Sequence, residues 1–316
     1  MLVCFKRIVL ALILVSTFCF AAPAQANQKI KIASVGWTGV TAKTELAVAI
    51  LKSLGYDAEN VMVSVPVAYK AMASGDADAF LGNWMPSMET IANKYFEDGS
   101  VVKYVANMPG ANYTLAVPTY CAEGGLKDFT DIEKFGDKLD WKIYGIEAGN
   151  DGNEIINAMI KENKFGLGKF KLVPSSETGM LAQVQSFAKE GKWIVFLGWS
   201  PHSMNELVDM TYLTGSDAST FGADNGTATV WTNLRKGFAE ENPNVAKLLK
   251  NMTFSIPMMN QIMTNLHEHK TLTPRQASLE WVKAHPEVYE AWLKGVVTID
   301  GKPGAPAFKA SLKTIQ

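Results

Sequence analysis

Two stretches of this chain read almost alike: Phe80-Leu81-Gly82-Asn83-Trp84-Met85-Pro86 and Phe196-Leu197-Gly198-Trp199-Ser200-Pro201. Each is a short apolar run that ends in Gly, then Trp, with Pro two residues further on. Four to eight apolar residues bounded by turn formers describe a buried strand, and Pro suits the first turn of a helix that follows. Each half of the chain is therefore expected to carry a strand whose C-terminal tip presents an indole.

Working outward from the first copy, residues 29–35 alternate into Gly36-Trp37-Thr38, a strand that stops at an aromatic. Residues 41–54 follow with helical spacing (Ala42, Leu46, Ala49, Ile50) and close at Gly55. Further strands are expected over 61–65 and 77–81, with a short helix over 69–72 stopped by Gly75. Around the second copy the same order returns: strands over 141–146, 170–173 and 193–197, helices over 153–164 and 178–189. Alternation of this kind predicts an α/β fold. Beyond Pro243 the pattern is helical over 245–252, 258–268, 273–284 and 288–293, with Thr273-Pro274 as a cap and first-turn proline. No long linker or low-complexity run divides the halves, so two α/β lobes joined by short crossings, near 114–118 and 210–213, is the economical architecture.

The N-terminus is a different kind of sequence. Lys6 and Arg7 precede an uncharged apolar run from Ile8 to Phe20, and Ala24-Gln25-Ala26 matches the small-x-small site of a signal peptidase. Residues 1–26 are read as a removed signal peptide, its apolar run being short for a membrane span; Phe18 is bulky for the lipoprotein alternative at Cys19. Removal would leave Cys121 alone of three cysteines and rule out an internal disulfide in an oxidising compartment. With 30 basic and 31 acidic residues there is no net field for nucleic acid or an anionic membrane. A small, near-neutral or zwitterionic partner suits this balance.

Ligands of open α/β sheets bind beyond the carboxyl ends of strands. Trp37, Trp84 and Trp199 are expected there, and Tyr113, in Ala111-Asn112-Tyr113-Thr114, stands where the chain would leave the first lobe. Tryptophan is more often packing than site, and Trp141, Trp193, Trp281 and Trp292 are read as packing. Several aromatic faces with few charges select an onium ion: a quaternary ammonium has no N–H to satisfy, so exchanging water for π faces costs it little.

Gly36-Trp37-Thr38, Gly82 to Pro86, Asn112-Tyr113, Gly145-Ile146-Glu147-Ala148-Gly149-Asn150-Asp151-Gly152 and Gly198 to Pro201 together resemble the periplasmic choline-binding and glycine-betaine-binding proteins of ABC transporters. The resemblance spans nearly all of the chain after the signal. It implies a two-lobed periplasmic solute-binding clamp that closes by hinge motion, with discontinuous lobes, 27–115 plus 212–316 and 116–211. It places Trp37, Trp84, Tyr113 and Trp199 around the trimethylammonium head and Asn150 at the polar end. It also implies delivery to an inner-membrane ABC permease. One position departs: the choline-binding branch has an aspartate where this chain has Gly39, two residues after the first tryptophan. A carboxylate there would favour a hydroxyl and repel an acid, so Gly39 points toward glycine betaine or carnitine over choline, unless it is a plain turn glycine. Thr38, Thr41 and His202 are the candidates to meet a ligand carboxylate.

Trimethylamine N-oxide, a sulfonium or proline betaine would suit the same cage, and a ligand-presenting sensor would share every motif. A secreted hydrolase has little support: Ser200 and His202 are two apart and do not face each other on a helix, and no G-x-S-x-G elbow is present. Glu147 and Asp151 are read as caps of the helix beginning near 153. His267 and His269 make an isolated H-x-H, weak as a metal signal. The expectation is a monomeric binding protein with no catalytic residues, metal or cofactor.

Overall fold

The computed structural model describes residues 29–313; the expected signal peptide lies outside them. Among the described residues nine strands form one sheet: β1 (Ile30–Ser34), β2 (Ala58–Met62), β3 (Ala79–Met85), β4 (Val101–Pro118), β5 (Lys142–Tyr144), β6 (Lys171–Val173), β7 (Phe196–Ser200), β8 (Met210–Tyr212) and β9 (Thr227–Arg235). Their order is β2-β1-β3-β9-β4-β7-β5-β6, with β8 against β4. In the first half β1 lies parallel to β2 and β3; in the second β5 lies parallel to β6 and β7. Of these parallel strands β3 and β7 are buried along most of their length, which fits their reading as short apolar runs.

The element that joins the halves is β4, 18 residues long. Its first part, Val101 to Asn112, pairs antiparallel with β9, and Asn112 to Ala116 pair antiparallel with β7. Three register shifts along the β9 side bend the strand as it passes from one half to the other. The register sets Tyr113 directly opposite Trp199, so two aromatics from distant segments become cross-strand neighbours on one face.

Helix α1 (Thr38–Ser53) starts three residues earlier than its apolar periodicity indicates, directly after Trp37, and buries ten of its sixteen residues. The second strand falls at 58–62 instead of 61–65. The chain from Val65 is helix α2 (Val65–Ser74), with Pro66 in its first turn and Gly75 as a left-handed C-cap at φ +82°. Pro86 and Pro201 are not first-turn residues. Each follows a cis peptide bond in the turn after its strand, and the helices begin three residues later, at Glu89 and Met204.

Trp141 packs as expected of a structural tryptophan. Its ring lies 5.2 Å from Phe170 and its indole N–H donates to Asp137 at 3.0 Å, and it is not among the residues that line the cavity of Trp37, Trp84 and Trp199. Trp141→Ala is expected to lower unfolding free energy by about 2 kcal/mol, less than the roughly 3–5 kcal/mol of fully buried aromatic truncations because the ring is half-buried. Urea unfolding should record that loss while ligand affinity stays unchanged.

Candidate functional site

Trp37 sits where β1 turns into α1. Its amide donates to the Val35 carbonyl at 2.7 Å, and its backbone is extended, φ −97° and ψ 134°, before the helix begins. That turn aims the indole across to the second half, where its N–H donates to Glu147 at 2.8 Å. Trp84 is the penultimate residue of β3 and Trp199 the penultimate residue of β7. Tyr113 lies between them: its ring centroid is 5.9 Å from Trp84 and 6.1 Å from Trp199. Phe221 backs Tyr113 edge-on at 5.4 Å and is fully buried. The four aromatics drawn from the sequence line a single cavity, with about 510 Å³ of atom-free space including its mouth.

The rest of the wall is apolar, with two exceptions. Val40, Ile146, Pro201, Met108, Met259 and Met263 complete it, and Gly39 opens onto Met259 and Met263. Gly39 has no positive φ, and a Cβ there would make only ordinary contact, 3.5 Å from the Met263 sulfur. It is a helical residue whose missing side chain leaves cavity space, not a turn glycine. The exceptions are Lys43 and Asp151, both buried and both lining the cavity.

Asp151 is the first residue of the helix Asp151–Lys161. It is 0 % exposed, and neither carboxylate oxygen completes a well-formed hydrogen bond with the protein. Burial pushes its pKa up to about 6, against the Ser87 hydroxyl and the amides at the helix start, which favour the charged form. Asn150, the residue before it, is the helix cap: its side-chain oxygen accepts from the Asn153 amide at 2.9 Å and its NH₂ donates to the Glu147 carbonyl. Asn150 does not line the cavity. Glu147 and Asp151 are thus not the caps they resemble in sequence; one receives the Trp37 indole and the other faces the cavity.

Thr38, Thr41 and His202 have partners elsewhere. The Thr38 hydroxyl and amide both donate to Glu177, the amide at 3.2 Å. Thr41 donates to the Val35 carbonyl at 3.1 Å. The Met204 amide donates to His202 Nδ1 at 3.0 Å, so the ring carries its proton on Nε2, which faces Glu177 at 3.1 Å. Burial pushes the Glu177 carboxyl up, but the His202 ring and the Thr38 donors outweigh it and hold it below the ordinary range. Glu177 thus ties α1 to the second half beside the aromatic cavity, leaving no free His202 nitrogen to serve Ser200 as a base. Among the described residues no cluster of three or more His, Cys, Asp or Glu is placed to hold a metal.

Gly152 belongs to the same construction. A Cβ there would lie 2.0 Å from the Tyr113 hydroxyl oxygen and 2.9 Å from Leu197. Gly152→Ala must displace the Tyr113 ring, and overpacking of this kind costs about 1–3 kcal/mol. We expect about a tenfold loss of ligand affinity by calorimetry.

An α/β clamp with an aromatic-walled cavity at the join of its halves defines a solute-binding protein of the two-lobed kind. The chain belongs to the family of substrate-binding domains of ABC-type glycine betaine transport systems, whose model matches residues 28–284. An ABC-transporter choline-binding protein solved in complex with choline is 48% identical, with a TM-score of 0.87 over 90% of this chain and 98% of that one. The glycine betaine/carnitine transport binding protein GbuC of Listeria monocytogenes is 27% identical over 52% of this chain and 53% of its own length, about half of that relative. The glycine betaine-binding periplasmic protein OusX of Dickeya dadantii is 25% identical over 80% of this chain and 85% of its own.

Proposed function

We propose that this chain captures a quaternary-ammonium compound, of the class of glycine betaine, carnitine and choline, and hands it unchanged to an ABC permease in the inner membrane. The observation that carries this reading is the meeting of Trp37, Trp84, Tyr113 and Trp199 around one cavity that also holds an unpaired buried carboxylate, Asp151. Each desolvated aromatic face contributes up to about 2 kcal/mol to a bound cation. The carboxylate adds a counter-charge where water cannot screen it. Asn150 then acts through Asp151, fixing the helix start that presents it.

The halves act as lobes, 27–115 plus 212–316 and 116–211, hinged at β4 and the return from β8 to β9. Trp37 to Glu147 and Thr38 to Glu177 are contacts that only the closed form makes. Ligand favours closure because only that state gathers all four rings. The protein works in the periplasm, a reading supported by the signal-like first 26 residues and by the periplasmic relative. Among the described residues no helix is long and apolar enough to cross a membrane.

Titration calorimetry of the chain from residue 27 against glycine betaine, carnitine, choline, trimethylamine N-oxide and dimethylsulfoniopropionate tests the reading. Binding of at least one onium compound in the micromolar range or tighter supports it, and silence across the whole panel would refute it.

A further inference from the structure

Lys43 is a second buried charge in the cavity with nothing to neutralise it. It lies on α1 one turn beyond Gly39, on the same helix face, and is 3 % exposed. Its ammonium donates to the Leu81 carbonyl at 2.8 Å and to the Asn107 side-chain oxygen at 3.1 Å. The ammonium also lies 5.4 Å from the centre of the Phe254 ring, and of its three donors one has no oxygen acceptor. No carboxylate of the described residues lies within 4.0 Å of it, although the surface lysines 29, 134, 142, 164, 192 and 302 all have such partners. A lysine buried without a counter-ion is costly. Burial draws its pKa down to about 7, and an acid beside it would hold it charged.

Asp151 is the opposite case in the same cavity, contributed by a helix of the other half. One cavity is therefore lined by a buried anion and a buried cation that form no ion pair with each other or with another described residue. A ligand carrying only a positive charge satisfies the first and leaves the second facing a like charge. A ligand with an onium at one end and a carboxylate at the other satisfies both.

We infer that Lys43 is the anion subsite of this cavity and that the ligand is a betaine-type zwitterion, an onium joined to a carboxylate by a short chain, in preference to an onium alcohol. This rests on the onium reading of the cage and deepens it. Gly39, one turn before Lys43 on the same face of α1, leaves space against Met259 and Met263 in the same cavity. Lys43 takes the role for which Thr38, Thr41 and His202 are the sequence candidates, since those three side chains are already engaged.

Three ligands with the same trimethylammonium head separate the possibilities in wild-type protein: glycine betaine, its uncharged methyl ester, and choline. Glycine betaine is expected to bind at least tenfold more tightly than either of the others. In Lys43→Met that preference should collapse to within about twofold, with choline affinity unchanged or improved, whereas Lys43→Arg should retain much of it. Ester or choline binding as tightly as glycine betaine in wild type would overturn the inference and leave the cage reading intact. So would an equal loss for all three ligands in Lys43→Met, the result of a merely structural lysine. Binding of none of the three would remove the cage reading itself. The wild-type comparison decides even if Lys43→Met does not fold.

Discussion

Trp37→Ala should lower affinity for an onium ligand about a hundredfold, the largest effect among the cage tryptophans. The substitution removes two things at once. One is an aromatic face, worth up to about 2 kcal/mol to a desolvated cation. The other is the indole N–H bond to Glu147, which links the halves across the cavity and is worth about 1 kcal/mol. Trp37→Phe separates them, since it keeps a face and loses the donor, and its affinity should fall between wild type and Trp37→Ala. Trp84→Ala and Trp199→Ala lose a face only and should cost at least tenfold. Calorimetry reads the affinities, and circular dichroism of the ligand-free variants confirms that each still folds. Wild-type affinity in all three alanine variants would be incompatible with an aromatic cage.

Asp151→Asn should cost about thirtyfold or more, because removing one partner of a desolvated charge pair loses at least about 2 kcal/mol. Its stability signature runs the other way. The folded protein holds this carboxyl at about 6, above the ordinary aspartate value, so ionised Asp151 opposes folding near neutral pH. The ligand-free variant should therefore melt no lower than wild type while binding far less well. The pH dependence has a definite sign as well. Choline affinity should improve as Lys43 loses its like charge near pH 7. A bound cation also favours the ionised carboxylate, so wild-type affinity for choline should rise about tenfold between pH 5 and 7 as Asp151 ionises. Asp151→Asn should lose that rise. A flat wild-type profile with full affinity in the variant would place the counter-charge elsewhere.

The contrast between Trp84 and Lys43 shows what the sequence carries and what it hides. Trp84 and Trp199 stand at the ends of apolar runs cut off by turn formers, and strand periodicity alone puts them at the edge of a sheet. Convergence with Tyr113 is less visible, because it depends on β4 changing partners from β9 to β7 at Asn112, a register decided by distant segments. Lys43 is hidden for a different reason. A lysine among apolar helical residues is ordinarily assigned to a solvent stripe. Its burial is intelligible only once Leu81 and Asn107 supply acceptors from β3 and β4.

Asp151 is masked by its neighbour. Asn150 and Asp151 are both good cap residues, and one residue of phase separates a helix cap from a side chain turned into the cavity. Met259 and Met263, one turn apart on the helix Ile256–Glu268, read as an ordinary apolar stripe. Their return to the first half of the chain is a tertiary fact that periodicity does not encode. Gly39 shows the limit of a single position: its absence of side chain was legible, and the methionines and lysine that give the space its character were not.

A crystal structure of the chain from residue 27 with a bound quaternary ammonium would address the cage itself most directly. The methyl groups should lie against Trp37, Trp84, Tyr113 and Trp199 together, with the lobes shut over them. Finding the ligand outside this cavity, or touching no more than one of those rings, would contradict the account.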